Sequence, residues 1–304
     1  MRRLRYHRVD VFSEEPFGGN PLAVFPEADG LETALMQKIA REMNLSETVF
    51  VTKPTEPADL RLRIFTVDRE LPLAGHPVIG AHFVLAITGR YQLKREGPTT
   101  VRAQLGAGVL PAEIHCEEGV VKSVLMTQRT PAFAPELVDR ALVARALGID
   151  QNQIGPGDLP VRVVDTGVPW LIVPLLDRRA IEALAPMPSL CQQVAEIAGT
   201  DMIYAFTQET VDPSCAVHAR HVWFGTVTPG EDPVTGSAAG CLASYLVFEQ
   251  IVLAAPSTEL WIEQGVEIAR PGRVRARIEA EGTRIKTVQI GGSAVHVGDG
   301  ELRL

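Results

Sequence analysis

The stretch Glu70-Leu71-Pro72-Leu73-Ala74-Gly75-His76 reappears in the second half of the chain as Glu231-Asp232-Pro233-Val234-Thr235-Gly236-Ser237, with Glu, Pro and Gly in register. A nearly all-apolar segment follows each copy, over 77–88 and 237–250. A helix of that composition is buried on every side. Upstream, Gly19-Asn20-Pro21-Leu22-Ala23-Val24-Phe25-Pro26 matches Gly167-Val168-Pro169-Trp170-Leu171-Ile172-Val173-Pro174. Two matches in the same order read as a duplication, with similar halves meeting near residues 115–120.

Working outward, short β-branched or alternating runs bounded by Gly, Pro, Asp or Asn predict strands over 8–12, 22–26, 48–52, 60–65, 162–167, 171–175, 203–206 and 274–280. An i, i+3/i+4, i+7 stripe predicts a helix over 31–43, and similar patterns predict helices over 135–147 and 189–198. Strands outnumber helices and do not alternate with them, which points to α+β rather than a doubly wound sheet. The length of 304 residues suits two domains. A net charge of −8 without a basic stripe argues against nucleic acid as a partner. The apolar runs fall short of the ~20 residues that span a bilayer, so no membrane partner is expected. Cys116, Cys191, Cys215 and Cys241 lie far apart, as neither a disulfide scaffold nor a zinc site requires, and the basic start has no signal-like apolar region. A cytoplasmic protein is expected.

Each E-x-P-x-x-G unit leads into the first turn of a buried helix, where unpaired N–H groups and the positive dipole end favour a carboxylate. Gly75 and Gly236 would let a ligand approach the backbone, and two such ends would suit a small acidic substrate. His76 stands at the first helix N-terminus, where the dipole disfavours its protonated form. Ser237 takes the same place in the second copy, and Asp232 lies just before it. Glu47, in Asn44-Leu45-Ser46-Glu47-Thr48, falls between an amphipathic helix and a buried strand, where desolvation would raise its pKa as general acid/base work requires. The competing reading makes the glycines tight turns, Ser237 a plain N-cap, Asp232 a turn residue and Glu47 a solvated loop acid.

Several chemistries lack their residues. Residues 230–236 have no Gly-Lys-Ser/Thr ending and carry two acids, no G-x-G-x-x-G follows a strand, and no G-x-S-x-G surrounds Ser237. His218 and His221 are three apart in a strand-like stretch and there is no HExxH, so neither a metal nor a nucleotide cofactor is expected.

F-G-G-N-P (17–21), N-L-S-E-T (44–48), R-I-F-T-x-x-x-E-L-P-L-A-G-H-P (63–77) and G-E-D-P-V-T-G-S-A-A-G (230–240) resemble the PhzF-like family of phenazine-biosynthesis isomerases through essentially the whole chain. The resemblance implies a diaminopimelate-epimerase-like α+β fold: two pseudo-symmetric halves, each a mixed, mostly antiparallel sheet wrapped around a central helix, with the active site in the cleft between them. The halves are expected as 1–117, joined by the C-terminal segment 290–304, and 118–289. It also implies no cofactor and a homodimer. Carried over residue by residue, Glu47 matches the proton-shuttling glutamate, His76 the active-site histidine and Asp232 the active-site aspartate. Asn20, Ser46, Gly75, Gly236 and Ser237 fall at substrate-contacting positions.

The related two-thiol epimerases place a cysteine just before the glycine of each unit; here those positions are Ala74 and Thr235, and Cys241 comes later, inside the second helix. Val67 departs from the proline that often follows Phe-Thr, and 221–225 departs from the family's Phe-x-Pro stretch. Asp201 falls roughly where the second half would place a counterpart of Glu47. The expected activity is cofactor-independent proton transfer on a small cyclic or unsaturated amino or hydroxy acid bearing a carboxylate, similar to that of trans-2,3-dihydro-3-hydroxyanthranilate isomerase. The alternatives are a non-thiol amino-acid epimerase and a non-catalytic small-acid binding protein.

Overall fold

The protein is described by a computed structural model covering residues 2–137, 139–221 and 231–304. Strands β1 (Arg3–Val11) and β2 (Asn20–Phe25) pair antiparallel. Helix α1 (Thr33–Met43) leads to β3 (Thr48–Thr52), which is parallel to β2 and antiparallel to β4 (Leu60–Phe65). The short β5 (Glu70–Leu71) returns against β4 before α2 (Gly75–Ile87). Strand β6 (Thr99–Leu105) runs parallel to β4, and β7 (Gly108–Glu117) and β8 (Val120–Thr127) continue antiparallel.

The chain then forms β9 (Ala132–Glu136), α3 (Arg140–Leu147), β10 (Arg162–Asp165), β11 (Pro169–Pro174), α4 (Arg178–Glu182), α5 (Pro188–Ala198), β12 (Ile203–Thr207) and β13 (Val217–Arg220). After α6 (Gly236–Phe248) come β14 (Thr258–Gln264), β15 (Gly272–Glu281) and β16 (Arg284–Gly292), and β17 (Ala294–Arg303) returns to pair antiparallel with β1. Contacts divide the chain into one unit ending at Thr127 and including Gly291–Leu304, and a second of Gln128–Ile290. The first unit passes residue 117 because β8 pairs with β7 across the turn at Glu118 and Gly119.

The two units repeat one topology. In β1-β2-β3-β4-β6-β7 the successive pairings are antiparallel, parallel, antiparallel, parallel and antiparallel. The run β10-β11-β12-β13-β14-β15 has the same five senses in the same order. Each unit is thus the expected α+β arrangement, a mixed sheet around a buried helix. Helix α2 packs against β1, β2, β3, β4, β7, β8 and β17 and is buried from His76 to Ala86. Burying Val78, Ile79, Phe83, Val84 and Leu85 contributes on the order of 10 kcal/mol before chain entropy is counted. Helix α6 is buried from Ala238 to Val247 and packs on β10, β11 and β15.

The repeated Glu, Pro and Gly have structural reasons. Arg63 on β4 grips Glu70 with two hydrogen bonds of 2.8 and 2.6 Å, and Arg220 on β13 grips Glu231 with two of 2.7 and 2.9 Å. Each glutamate is tied to the strand antiparallel to β3 or to β12. Pro72 and Pro233 are each approached by a glycine one residue beyond a paired strand or at its end. A Cβ on Gly106 would fall 2.8 Å from Pro72 Cα, and one on Gly265 (φ +84°) would fall 2.6 Å from the Pro233 carbonyl oxygen. Neither place admits a side chain.

Most expected elements lie where the pattern put them, with one exception of type. The helix expected over 135–147 begins only at Arg140, capped by the Asp139 carboxylate on Leu142 N–H, and Ala132–Glu136 is instead a strand on β10. Pro135 has no N–H and suits a strand position better than a helix interior. Among the described residues, no helix is long and apolar enough to cross a membrane.

His218 on β13 is fully buried, and both its ring nitrogens lie 2.8 Å from carboxylates, Nδ1 from Glu263 and Nε2 from Glu267. Burial works against its charge, but the two glutamate hydrogen bonds and charges win, and its pKa is raised to about 9. Burial likewise works against both glutamates, and His218 holds both below the usual 4.5.

Two outcomes follow from these buried ions. Arg220→Met leaves Glu231, only 7% exposed, without its cation and costs about 3–5 kcal/mol by urea unfolding. Arg63→Met beside the 36% exposed Glu70 costs about 1 kcal/mol or less. The stability from His218 is complete below 6.5 and is lost as pH rises through about 9, whereas that from its glutamates is present above 4.5 and lost on acidification. The thermal midpoint of the wild type therefore declines across 6.5 to about 9, and in His218→Gln this decline is smaller from a lower starting value.

Candidate functional site

The chemistry-bearing residues of the first unit are delivered by two chain reversals. Helix α1 ends at Asn44, whose φ of 50° is left-handed and whose N–H closes on the Ala40 carbonyl. Asparagine tolerates that conformation better than most residues. Leu45 and Ser46 complete the reversal, and Glu47 is the last residue before β3. There its side chain is 16% exposed, at the end of a strand whose next four residues include three fully or nearly fully buried hydrophobics, Val49, Phe50 and Val51. The second reversal is β5 into α2. The N-cap of α2, Ala74, has no side-chain cap, and no acid lies in the first turn, so neither a cap side chain nor a first-turn acid occupies the N–H groups at its start.

His76, in that first turn, joins the two reversals. Its Nε2 lies 3.1 Å from Glu47 Oε2, and its Nδ1 lies 3.2 Å from Asn20 Nδ2 at the start of β2. With Asn20 oriented as an amide donor, Nδ1 accepts, and the Nε2 proton faces the Glu47 carboxylate. Asn20 is fully buried and its amide nitrogen is committed to this ring. Sequence alone indicated no Asn20–His76 link.

The electrostatics of Glu47 differ from the expected desolvated acid. Burial does raise its pKa, but the adjacent His76 and the hydrogen bond from Ser46 together outweigh burial and hold the carboxyl below 4.5. Glu47 therefore rests as a carboxylate, in its base form. The repeat also decides the matter of Asp201. Ala23 pairs with Thr48, and its repeat partner Leu171 pairs with Ile203, so Thr48 corresponds to Ile203 and Glu47 to Met202. Asp201 is exposed and one position away, aligned with Ser46.

In the second unit Gly236 opens α6, Ser237 follows at the position of His76, and Asp232 precedes them. Thr235 Oγ1 donates to Asp232 Oδ2 at 2.7 Å. Their holder is a residue that the motifs did not single out. Gln264, fully buried at the end of β14, accepts from Tyr204 OH (2.8 Å) and Thr235 N–H (2.9 Å), and donates to Asp232 O (2.7 Å) and Thr235 Oγ1 (3.1 Å). A Gln-Gly pair closing the strand that follows the second buried helix was its trace in the sequence; the first unit has Leu105-Gly106 there.

The remaining candidates act elsewhere. Cys241 is buried with its Sγ 3.2 Å from Thr166 Oγ1, and burial pushes the thiol up to about 12, so it is no proton carrier near neutrality. His221 lies against the Trp170 ring edge-to-face at 4.8 Å, and burial brings its pKa down to about 4. The rest of the divergent stretch, 222–225, lies outside the described residues.

Asn20→Asp supplies a carboxylate that accepts from Nδ1 and moves the His76 proton to that nitrogen. Long-range proton–nitrogen spectra are expected to show the Nε2–H form in the wild type and its loss in Asn20→Asp. An unchanged tautomer would refute the assignment.

The chain matches the PhzC-PhzF family, described as phenazine biosynthesis-like protein, over residues 9–300. It is similar to an uncharacterized isomerase of Mesorhizobium japonicum, 36% identical with 99% of each chain covered. It is 33% identical to the trans-2,3-dihydro-3-hydroxyanthranilate isomerase of Pseudomonas aeruginosa, again with 99% of each covered. The crystal structure of the Bacillus anthracis phenazine biosynthesis protein of the PhzF family superposes with a TM-score of 0.88 at 30% identity, covering all of both chains. The chain thus belongs to the PhzF family of phenazine biosynthesis-like proteins and is an isomerase of that family.

Proposed function

We propose that the protein catalyses a cofactor-independent proton shift on a small cyclic or unsaturated amino or hydroxy acid, of the kind named for its Pseudomonas relatives. The observation that carries this reading is the single resting carboxylate of Glu47, facing His76 and without a carboxylate counterpart in the second repeat. A base of this kind removes a proton from carbon, the electron pair moves through the adjacent double bond, and the proton returns from Glu47 to another carbon on the same face. One C–H bond breaks and one forms, the double bond relocates, and no electron or atom is lost. The His76 Nε2–H is suited to support the carboxylate between the two transfers, while Asn20 keeps that proton in place.

Binding follows from the helix starts. In the first unit the backbone N–H groups beside Gly75 suit a carboxylate, and Ser46 supports Glu47; in the second, the N–H groups beside Gly236 and the Ser237 hydroxyl suit the same kind of group. Asp232, on the loop that Gln264 braces, suits an amine. The two-thiol route lacks its residues, since Ala74 and Thr235 stand where the thiols would be. The family likeness also supports a homodimer as the working form.

The test is proton NMR in D2O with trans-2,3-dihydro-3-hydroxyanthranilate and a panel of cyclic amino acids. Deuterium is expected at the new C–H position with a shifted double bond, and Glu47→Gln is expected to lower the rate by about 10²–10⁴-fold with ligand binding retained. Incorporation at an inverted stereocentre would replace the isomerase by a one-base epimerase, and turnover surviving Glu47→Gln would remove Glu47 as the base. Because His76 holds Glu47 below 4.5, the acid limb of kcat/KM is expected below that pH.

A further inference from the structure

A second cluster of titratable side chains stands on the paired terminal strands of the first unit. His7 Nδ1 lies 2.6 Å from Asp299 Oδ1, and His296 Nε2 lies 2.9 Å from the same oxygen. The two imidazole rings are 5.7 Å apart, centre to centre. None of the three belongs to the Glu47 site, and no ion pair with Arg or Lys competes for Asp299 among the contacts described.

A strand irregularity makes this convergence. His7 is directly opposite Asp299, and Arg8 is opposite Gly298, but Val9 is opposite His296, so Val297 is an extra residue in β17. In a regular strand, residues three apart point to opposite faces. The bulge at Val297 puts His296 and Asp299 on one face, the face that His7 and Val9 share across the ladder. His296 also lines a shallow groove with Glu14 and with Ala86 and Ile87 of the last turn of α2.

We propose that His7, His296 and Asp299 form a binding site for a divalent transition metal, with Zn²⁺ as the fitting ion and water completing its shell. Two imidazoles and one carboxylate are borderline donors that suit zinc. The three ligand atoms already lie within 4.8 Å of one another. Two ligands of one tetrahedral zinc stand about 3.4 Å apart, given metal–ligand bonds of about 2.0–2.2 Å. The present contacts of 2.6 and 2.9 Å therefore open by less than an ångström to admit the ion. Side-chain exposures of 21, 35 and 64% leave room for that movement and for entry. Coordination uses the lone pairs of the two ring nitrogens now directed at Asp299, so each neutral ring carries its proton on its other nitrogen, and binding weakens as pH falls because protons compete with the metal for both rings. Its structural effect is to tie the N-terminal strand to the C-terminal strand, independently of catalysis at Glu47.

The experiment is isothermal titration of the full chain, without an added histidine tag and freed of metal, with Zn²⁺ near neutral pH. One equivalent is expected to bind in the micromolar range, with the thermal midpoint rising on saturation. Asp299→Asn and His296→Ala are each expected to weaken binding by about tenfold or more while keeping the apo midpoint and the Glu47-dependent activity. Binding only at millimolar zinc, or micromolar binding that neither variant changes, would overturn the proposal.

Discussion

Two thirteen-residue helices that are apolar on every side impose the central constraint on this chain. An amphipathic helix can rest on one face of a sheet, but α2 and α6 have no face to give to water. In the first unit the sheet answers by bending around α2, with β1, β2, β3, β4, β7, β8 and β17 all touching it. Mixed strand senses follow, because parallel neighbours β2 and β3 require a crossover, and α1 supplies it with Met36, Ile39 and Ala40 packed on Phe25, Phe50 and Phe65. What such a helix leaves unpaired is the N–H groups of its first turn, and that is where His76 and Ser237 stand.

Duplication supplied two copies of this arrangement, and their differences carry the function. Both copies keep the Arg–Glu grip before the helix and the glycine pressed on proline, since these hold the loop whatever its chemistry. The first copy then adds a carboxylate, an imidazole and an amide in one line: Glu47, His76, Asn20. The second has Met202, Ser237 and Val168 in those places and spends its polar side chains differently, bracing Asp232 through Thr235 and Gln264. A carboxylate held ionised by a neighbouring imidazole is a base at rest rather than an acid. That distinction comes from His76 and Ser46 together outweighing the desolvation that position alone would predict.

Much of this was legible without coordinates. Period-two and period-3.6 patterns marked the strands and helices, and the ordered E-x-P-x-x-G and G-x-P repeats marked two similar α+β halves, because burial imprints its periodicity directly on residue order. The motifs also named Glu47, His76 and Asp232. The strand at Ala132–Glu136 was hidden, because its neighbour β10 lies some thirty residues on and short-range pattern cannot register that pairing. Likewise β17 carries Gly298, Gly300 and scattered charges, and only its ladder with β1 makes it a strand.

Residue identity by itself thus determined which groups were present and the local shapes that deliver them: a left-handed Asn44 before Glu47, an uncapped helix start before His76, alanine and threonine in place of thiols. Only tertiary structure decided what those groups face. The tautomer of His76, the ionised state of Glu47, the alignment of Met202 with Glu47, the brace from Gln264 and the His7–Asp299–His296 cluster all depend on contacts between residues distant in sequence. Such contacts arise from packing a whole sheet around a helix, and no local spacing encodes them.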